Sequence, residues 1–357
     1  MEKKRIGIAL SGGGFRASVF HIGVLKALAE NNQLENVEII STVSGGSLTV
    51  ALIYKLNNNK WPTSHEYLTS ILPSLQKYFV ELNLGANIIQ RLFYPKNWIN
   101  IFSRANIVAD SLKNYWQINA SLNNLEKKPI WEINATTNET GKNWRFSQEK
   151  MGDYKFGVIK DPTYFLSDAV AASAAYPGII GRFTLKTNKF TGWEVFDWKD
   201  KSYKEKKTPL EFSKLHLSDG GLYNNLGEEP LIDELGKSLD KNIDFFVISD
   251  ASKPLLNEKS KASFRILART LRLIDIAMDQ IKALRTRAIH SFLNKHPKDG
   301  IFVRIGQYQK ELNEIYDSKA IGKIKTNFFS LSDEEYELLV NYSNELTHKS
   351  LKKYIKN

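Results

Sequence analysis

The chain has 357 residues, of which 42% are apolar and 25% charged, with no cysteine and a net charge of +11. This is the composition of a globular protein, and the absence of cysteine excludes a disulfide scaffold, a thiol nucleophile and a thiolate metal site. No two of the six histidines have the spacing of a helical zinc pair, so we expect neither a metal nor another cofactor. At roughly 150 residues per domain, the length predicts one large α/β domain with insertions, or two domains. The positive charge would suit nucleic acid, anionic lipid or an acidic protein, and composition does not choose among them.

The N-terminal segment does not have the pattern of a signal peptide. Its apolar stretch, Ile6–Leu10, ends at glycines after about five residues, whereas a signal sequence needs roughly 7–15. No later segment reaches the ~18 consecutive apolar residues of a transmembrane helix. We therefore expect a cytoplasmic protein that meets membranes only at their surface.

Strand, glycine turn and helix occur twice at the start of the chain. The predicted strand Lys4–Leu10 is followed by a helical pattern at Ser18–Glu30, and the apolar run Val37–Val43 is followed by one at Leu48–Leu56. This alternation predicts an α/β fold with a mainly parallel central sheet flanked by helices.

Further elements follow these two units. The pattern predicts a helical insertion at about 57–125, a strand pair at Lys128–Thr137 and Trp144–Phe146, a buried helix at Ser167–Ala175 and a buried strand at Asn242–Ser249. We expect one domain over residues 1–250 that includes the insertion, with a mainly helical region, 251–357, packed on it.

A long basic helix is predicted at Lys259–Lys295. It carries nine Lys or Arg against two Asp, a net charge of +7. Its apolar residues alternate in steps of three and four, at Phe264, Leu267, Leu271, Ile274, Met278 and Ile281. We expect this seam to pack on the sheet and the charges to face water; contact with anionic phospholipid or a partner helix is the alternative. No nucleic-acid-binding motif accompanies the charge.

The first chemistry-bearing segment, Ser11–Ala17 (SGGGFRA), lies between a strand and a helix. Glycines let the backbone approach a ligand, and a helix N-terminus presents unpaired N–H groups, so the segment suits an anion or an oxyanion. The Gly-Lys-Ser/Thr of a P-loop is missing. A tight strand–helix turn without ligand is the alternative.

Two more segments carry candidate catalytic residues. Ser44 directly follows the second strand, as in a nucleophile elbow, with Gly46 as the second glycine of the G-x-S-x-G pattern and Thr42 in place of the first. Downstream, Asp219 precedes two glycines, which allows its carboxylate to approach another backbone closely. The alternatives are a small-residue turn or helix cap at Ser44 and an ordinary Asp-Gly turn at Asp219.

Together, the three segments resemble the patatin-like phospholipase family. The matching positions are Gly12–Arg16 for its G-G-G-x-R oxyanion motif, His21–Leu25 for the helix that follows, Ala172–Pro177 for a small-residue segment, and Asp219-Gly220-Gly221 with Asn225 for its D-G-G/A-x-x-x-N motif. The resemblance runs from about residue 4 to 250, without the insertion. The family's fold is a three-layer α/β sandwich.

The resemblance implies a serine acyl hydrolase that cleaves phospholipids or related lipid esters, of the phospholipase A or lysophospholipase type, through an acyl-enzyme. Ser44 would attack the ester and Asp219 would take its proton, without a histidine. The glycine loop Gly12–Gly14, through the N–H groups of Gly13 and Gly14, would bind the oxyanion, with the positive charge of Arg16 nearby. Supporting positions would be Gly46, Gly220, Gly221 and Asn225. The implied partners are the lipid substrate and an anionic membrane surface.

Two departures from the family pattern leave a second function open. Thr42 and Ala17 stand where glycine is usual. The alternative is a catalytically silent relative that binds lipid or a protein partner.

Four further features have competing interpretations. His216 is the one near rival to Asp219 as base, while His21 is expected to be a packed helix residue. Asp250 ends a strand and is expected to be a polar cap, or else to orient the site. The aromatic and basic segment Leu82–Phe102 is either a membrane-contacting lid or part of a helical subdomain with its own core.

Overall fold

The computed structural model describes residues 4–100, 103–197, 199–206, 210–233, 237–252, 266–307, 312 and 315–355. In these ranges twelve strands form one sheet. The strands are β1 (Ile6–Leu10), β2 (Val37–Val43), β3 (Ile130–Thr137), β4 (Asn143–Phe146), β5 (Lys150–Asp153), β6 (Gly157–Lys160), β7 (Phe183–Lys186), β8 (Glu194–Asp197), β9 (Ser202–Glu205), β10 (Lys214–Asp219), β11 (Phe245–Asp250) and β12 (Gly300–Arg304).

The helices of the described ranges connect and cover these strands. They are α1 (Gly14–Glu30), α2 (Gly45–Leu56), α3 (Ser64–Glu66), α4 (Leu72–Val80), α5 (Leu84–Leu92), α6 (Ala105–Asn114), α7 (Leu166–Ser173), α8 (Gly221–Asn224), α9 (Ile266–Lys295), α10 (Ser318–Ile321) and α11 (Asp333–Ile355). A π-helical turn, Tyr67–Ile71, joins α3 to α4.

The centre of the sheet is parallel. Its strands follow the order β12-β11-β1-β2-β3, each parallel to its neighbour. An antiparallel extension continues through β4, β5, β6, β8 and β9, and β10 pairs antiparallel with both β3 and β7. The predicted α/β fold with a mainly parallel central sheet is confirmed. Because the carboxyl ends of parallel strands meet at one edge, the turns after β1 and β2 lie side by side there.

Helices cover both faces of the parallel strands. On one face α1 and α2 contribute buried apolar residues to the larger core. On the other face the second half of α9 packs Ile289 and Phe292 on the sheet, with the Phe292 ring 5.8 Å from that of Phe246. The result is the expected three-layer arrangement.

The segment at 57–125 is helical in its described part and shares the main core. Phe79 of α4 meets Phe15 of α1 edge-to-face, and Trp116 after α6 stacks on it, with ring centroids 5.1 and 5.6 Å away. The interpretation as a subdomain with a core of its own is therefore wrong. The helix α5 extends from this packed base toward the carboxyl edge of the sheet.

The C-terminal region adds a strand as well as helices. β12 lies beyond residue 250 and pairs with β11, and α11 packs on α1, where Tyr342 meets Phe20 at 6.2 Å. The domain boundary at residue 250 stays a prediction. The start of the predicted basic helix, residues 259–265 with Phe264, lies outside the described residues.

Candidate active site

Ser44 occupies a strained turn between β2 and α2. Its backbone has φ +49° and ψ −109°, a region that residues other than glycine rarely adopt. The Ser44 N–H donates to the hydroxyl oxygen of Ser173 at 2.9 Å, and its carbonyl accepts from the Leu48 N–H at 3.1 Å. These two bonds hold the strained backbone, which places the side chain at the wall of a cavity.

The carboxylate of Asp219 faces Ser44. Asp219 ends β10 and is only 4% exposed. Burial raises the pKa of Asp219 to about 6, opposed by hydrogen bonds from the Gly221 N–H and from Ser44. The Gly221 N–H lies 2.7 Å from Asp219 Oδ1. A carboxylate with this pKa is ionised at neutral pH and is a stronger base than an exposed aspartate.

The end of α7 positions both residues of this pair. The carbonyl of Ala175 accepts from the Asp219 N–H at 3.0 Å, and the carbonyl of Ser173 accepts from the Gly220 N–H at 3.2 Å. Ser173 also bonds Ser44 through its hydroxyl. Sequence reasoning missed the role of Ser173, although it lies in the small-residue segment that matched the family.

The glycine loop supplies free N–H groups. Gly14 begins α1 with φ +60°, a left-handed conformation that glycine adopts without strain. Within the described ranges, the N–H groups of Gly13 and Gly14 have no acceptor, whereas the Gly12 N–H donates to the Asn225 carbonyl at 3.2 Å. Both α1 and α2 begin beside Ser44, so two helix N-termini converge on it. Such an arrangement can bind an anion or a developing oxyanion.

Arg16 does not reach this site. Its buried guanidinium donates to the carbonyl oxygens of Gly322 at 2.6 Å, Ile324 at 3.2 Å and Ala251 at 2.9 Å. Burial lowers the pKa of Arg16 to about 10, opposed by Asp250. The side chain is absent from the cavity wall and instead ties α1 to C-terminal segments.

The remaining predicted positions lie around Ser44 and Asp219. Asn225, Gly12 and Asp219 line the same cavity as Ser44. Gly46, in the first turn of α2, packs against the carbonyl oxygen of Leu10. Gly220 and Gly221 donate the hydrogen bonds already described, so they shape the turn that carries the carboxylate.

Neither histidine near the motifs is placed to act as base. His21 is fully buried, with Nε2 2.9 Å from the Ser11 carbonyl and Nδ1 2.8 Å from the Ser249 hydroxyl. A carbonyl only accepts, so Nε2 carries the proton, and burial lowers the pKa of His21 to about 4. His216 Nδ1 lies 2.6 Å from Glu139, and neither ring lines the cavity.

Asp250 acts as a turn cap, because its Oδ1 accepts from the Ser252 N–H at 2.9 Å. This is the polar-cap interpretation of the strand end. The carboxylate does not bond Ser44 or Asp219, and it bonds the turn that follows β11.

A cavity of about 510 Å³ opens from Ser44 and Asp219. One wall is apolar and consists of Ile88, Ile89, Leu92, Val108, Ile179, Ile180, Phe328 and Phe329. Another part of the lining is one face of α9, with Arg272, Asp275, Met278, Asp279 and Lys282. Of the apolar seam that was expected to pack on the sheet, Met278 lines the cavity instead. A cavity with an apolar and a charged wall suits an amphiphile.

Side-chain contacts hold α9 beside the cavity. The Tyr176 hydroxyl donates to Asp275. Arg285 binds Glu228 at 2.9 Å and Glu229 at 2.7 Å, which anchors the middle of the helix below the cavity.

Comparison with known proteins agrees with this geometry. Residues 8–232 match the family described as patatin-like phospholipase. The chain is a member of the patatin-like phospholipase family. A patatin-like phospholipase domain-containing protein of Aspergillus terreus is 26% identical over 231 residues, which cover 60% of this chain and 28% of that protein.

Solved structures share the fold. Human GIVD cytosolic phospholipase A2 superposes with a TM-score of 0.57 at 14% identity, over 99% of this chain and 61% of that one. The same human protein with methyl gamma-linolenyl fluorophosphonate and terbium chloride gives 0.51 at 14% identity, over 99% and 60%. This patatin-like chain thus spans less than two thirds of the length of each of these proteins. Of its described helices, none has the length and apolar character needed to cross a bilayer.

Proposed function

We propose that this protein is a serine acyl hydrolase of lipid esters, with Ser44 as nucleophile and Asp219 as general base. The observation that carries the proposal is that Ser44, on a strained turn, and the buried Asp219 carboxylate line one cavity that also has an apolar lining. Family membership supports the same reaction class.

The reaction would proceed in two halves. Ser44 Oγ attacks the ester carbonyl carbon while its proton passes to Asp219, and the Gly13 and Gly14 N–H groups bind the oxyanion. Each oxyanion donor is typically worth ~3–4 kcal/mol of transition-state stabilisation. The intermediate collapses as Asp219 protonates the leaving alcohol. A water then attacks the acyl-enzyme, again losing its proton to Asp219, and the fatty acid leaves as Ser44 recovers its proton.

The cavity favours an amphiphilic substrate. The acyl chain would lie along the apolar wall formed by α5 and α6, and the polar part of the lipid would face the charged residues of α9. This division supports a phospholipid or lysophospholipid substrate over a small soluble ester. No step in the scheme requires a cofactor.

The competing function is a silent lipid-binding module. It is disfavoured by the intact pair of Ser44 and Asp219, since a protein that only binds lipid gains nothing from a strained serine beside a buried carboxylate.

Fatty acid release from phosphatidylcholine and lysophosphatidylcholine micelles tests the proposal. We expect release by the wild type, and at least a ~10³-fold loss in Ser44→Ala and Asp219→Asn. Ser147→Ala, which removes another buried serine hydroxyl away from the cavity, is the matched control. Folded wild-type protein without activity on either lipid would favour the silent module.

We also propose that the cavity mouth contacts anionic membranes. Phe93 is 75% and Trp98 62% exposed, and the exposed Ile89 and Ile179 line the cavity itself. Trp98 borders a smaller hollow that shares Leu92 with the main cavity. Exposed aromatic residues suit the headgroup region of a bilayer, and the net charge of +11 suits anionic lipid.

Vesicle sedimentation tests this contact. The double variant Phe93→Ser/Trp98→Ser should lose binding to phosphatidylserine-containing vesicles and keep activity on a soluble short-chain ester. Tyr203→Ser, which removes a 53% exposed aromatic of β9, should bind as the wild type does. Unchanged sedimentation of the double variant would contradict the contact.

A further inference from the structure

A buried chain of hydrogen bonds leads from β3 to the backbone of Ser44. The Trp131 indole N–H donates to the Thr42 hydroxyl at 2.9 Å, and the hydroxyls of Thr42 and Ser47 lie 2.9 Å apart. The Ser47 hydroxyl lies 2.9 Å from that of Ser173, which accepts the Ser44 N–H at 2.9 Å.

Both ends of this chain are fixed donors. An indole N–H and a backbone N–H cannot accept, so the Thr42 and Ser173 oxygens act as acceptors. The indole of Trp131 is itself held by stacking on Tyr54 of α2, with ring centroids 5.3 Å apart and planes at 3°. Trp131 is therefore a rigid anchor for the chain.

All three hydroxyls are inaccessible to solvent, since Thr42, Ser47 and Ser173 are each 0% exposed. Water cannot replace a lost partner at such a site, and a buried donor left without an acceptor is costly. The three hydroxyls consequently act as one unit with the turn that carries Ser44.

The chain of hydrogen bonds also reaches the turn that follows Asp219. Ser173, its last member, accepts the Gly220 N–H through its carbonyl while its hydroxyl accepts the Ser44 N–H. One residue thus connects the serine turn with the turn after Asp219.

We propose that Thr42 is a positioning residue for Ser44, acting through Ser47 and Ser173; the inference rests on the proposed hydrolase function. Thr42 stands where the elbow pattern has glycine, and a glycine could not provide this hydroxyl. The threonine that replaces the usual glycine would then fix the strained Ser44 backbone and its alignment with Asp219 through its hydroxyl.

The test compares Thr42→Val with Thr42→Ser on a soluble short-chain ester. Valine keeps the shape and removes the hydroxyl, and displacement of a reacting group by about 1 Å can cost ~10²-fold in rate. We expect kcat to fall about 10- to 100-fold in Thr42→Val with KM within about twofold, and to recover to within about threefold in Thr42→Ser. Thr347→Val, which removes a buried threonine hydroxyl of α11, should leave both constants unchanged.

Two further measurements separate positioning from general damage. The acid limb of the pH–rate profile should move only slightly in Thr42→Val, because burial, the main cause of the raised pKa of Asp219, is unchanged and only the smaller contribution of Ser44 is weakened. The effects of Thr42→Val and Ser173→Ala on kcat should be less than multiplicative in the double variant, since both break one chain. If Thr42→Val does not fold, Ser47→Ala breaks the same chain in the middle and should give the same split between kcat and KM.

Wild-type kcat in Thr42→Val, no recovery in Thr42→Ser, or fully multiplicative effects would each overturn the inference. A wild type without hydrolysis would instead contradict the proposed function, and it is measured before any variant.

Discussion

The turns that carry Ser44 and Asp219 and the wall formed by α9 surround one cavity but are built differently. The turns are buried and held by backbone hydrogen bonds such as those from Asp219 and Gly220 to the end of α7. The α9 residues that line the cavity are intermediate or exposed, and side chains hold this helix: Tyr176 bonds Asp275, and Arg285, about one turn after Lys282, bonds two glutamates. The turns of Ser44 and Asp219 are thus fixed by the fold, while the half-exposed α9 lining can change with little cost to stability.

The largest expected effect is the loss of stability from a steric clash in the turn between β2 and α2. A Cβ on Gly46 would overlap the Leu10 carbonyl oxygen, and Leu10 ends a buried strand that cannot move away. Gly46→Ala should lower the free energy of unfolding by about 3 kcal/mol or more in urea denaturation. Gly141→Ala has open space around it and only a left-handed φ, so it should cost about 1 kcal/mol. Equal losses in the two variants would contradict the rigidity of the turn.

The next effect is the cost of ionising Asp219 inside the fold. Its pKa of about 6 lies above the value of about 3.9 expected in an unfolded chain. Ionisation of Asp219 therefore lowers the free energy of unfolding as pH rises from 4 through 6. The loss reaches its full value of about 3 kcal/mol above pH 6. Asp219→Asn should gain about this much stability relative to the wild type between pH 4 and pH 7. A constant difference across that range would count against the raised pKa.

The raised pKa of Asp219 also predicts the pH dependence of activity. The base must be ionised, so kcat/KM should fall tenfold per pH unit below about 6 in the wild type. A limb near pH 4 would mean that another group, or a solvated Asp219, takes the proton.

The smallest effects are expected in the cavity wall. Ile88→Trp would fill part of the apolar side, so KM for a long-chain ester should rise about tenfold while that for a short-chain ester stays within about twofold. Because Ile88 is only partly buried, the stability should change by less than about 1 kcal/mol. Gln90→Trp, on the exposed side of the same helix, is the control. A similar rise for both esters would mean that the apolar wall does not hold the acyl chain.

The sequence predicted the local part of this site and not the contacts made over long distances. Ser44 could be named as a candidate nucleophile because a serine elbow after a parallel strand needs small residues at fixed offsets. Asp219 could be named because the two glycines that follow it indicate a turn. The strand β10 was not predicted because its six residues end in residues typical of turns. Its pairing with β3 and β7 joins segments far apart in the sequence, so no local pattern indicates it.

Two assignments depended on distant contacts in the same way. Arg16 follows the glycine loop, yet its partners are carbonyls 235 to 308 residues away. The helix α9 shows an apolar seam, but its position beside the cavity depends on the bonds of Asp275 to Tyr176 and of Arg285 to Glu228, which no periodicity reveals. Thr42 departs from the elbow pattern, and only the fold brings Trp131 and Ser47 within hydrogen-bonding distance of its hydroxyl.

The most direct test of the account is the site at which a fluorophosphonate probe attaches. A serine oxygen displaces fluoride from such a probe only when a base and an oxyanion site activate it. Peptide mass spectrometry should find a single adduct on Ser44, absent in Ser44→Ala and formed far more slowly in Asp219→Asn. An adduct on Ser47 or another serine, or none on the folded wild type in the presence of lipid, would contradict the assignment of Ser44 and Asp219 as the reacting pair.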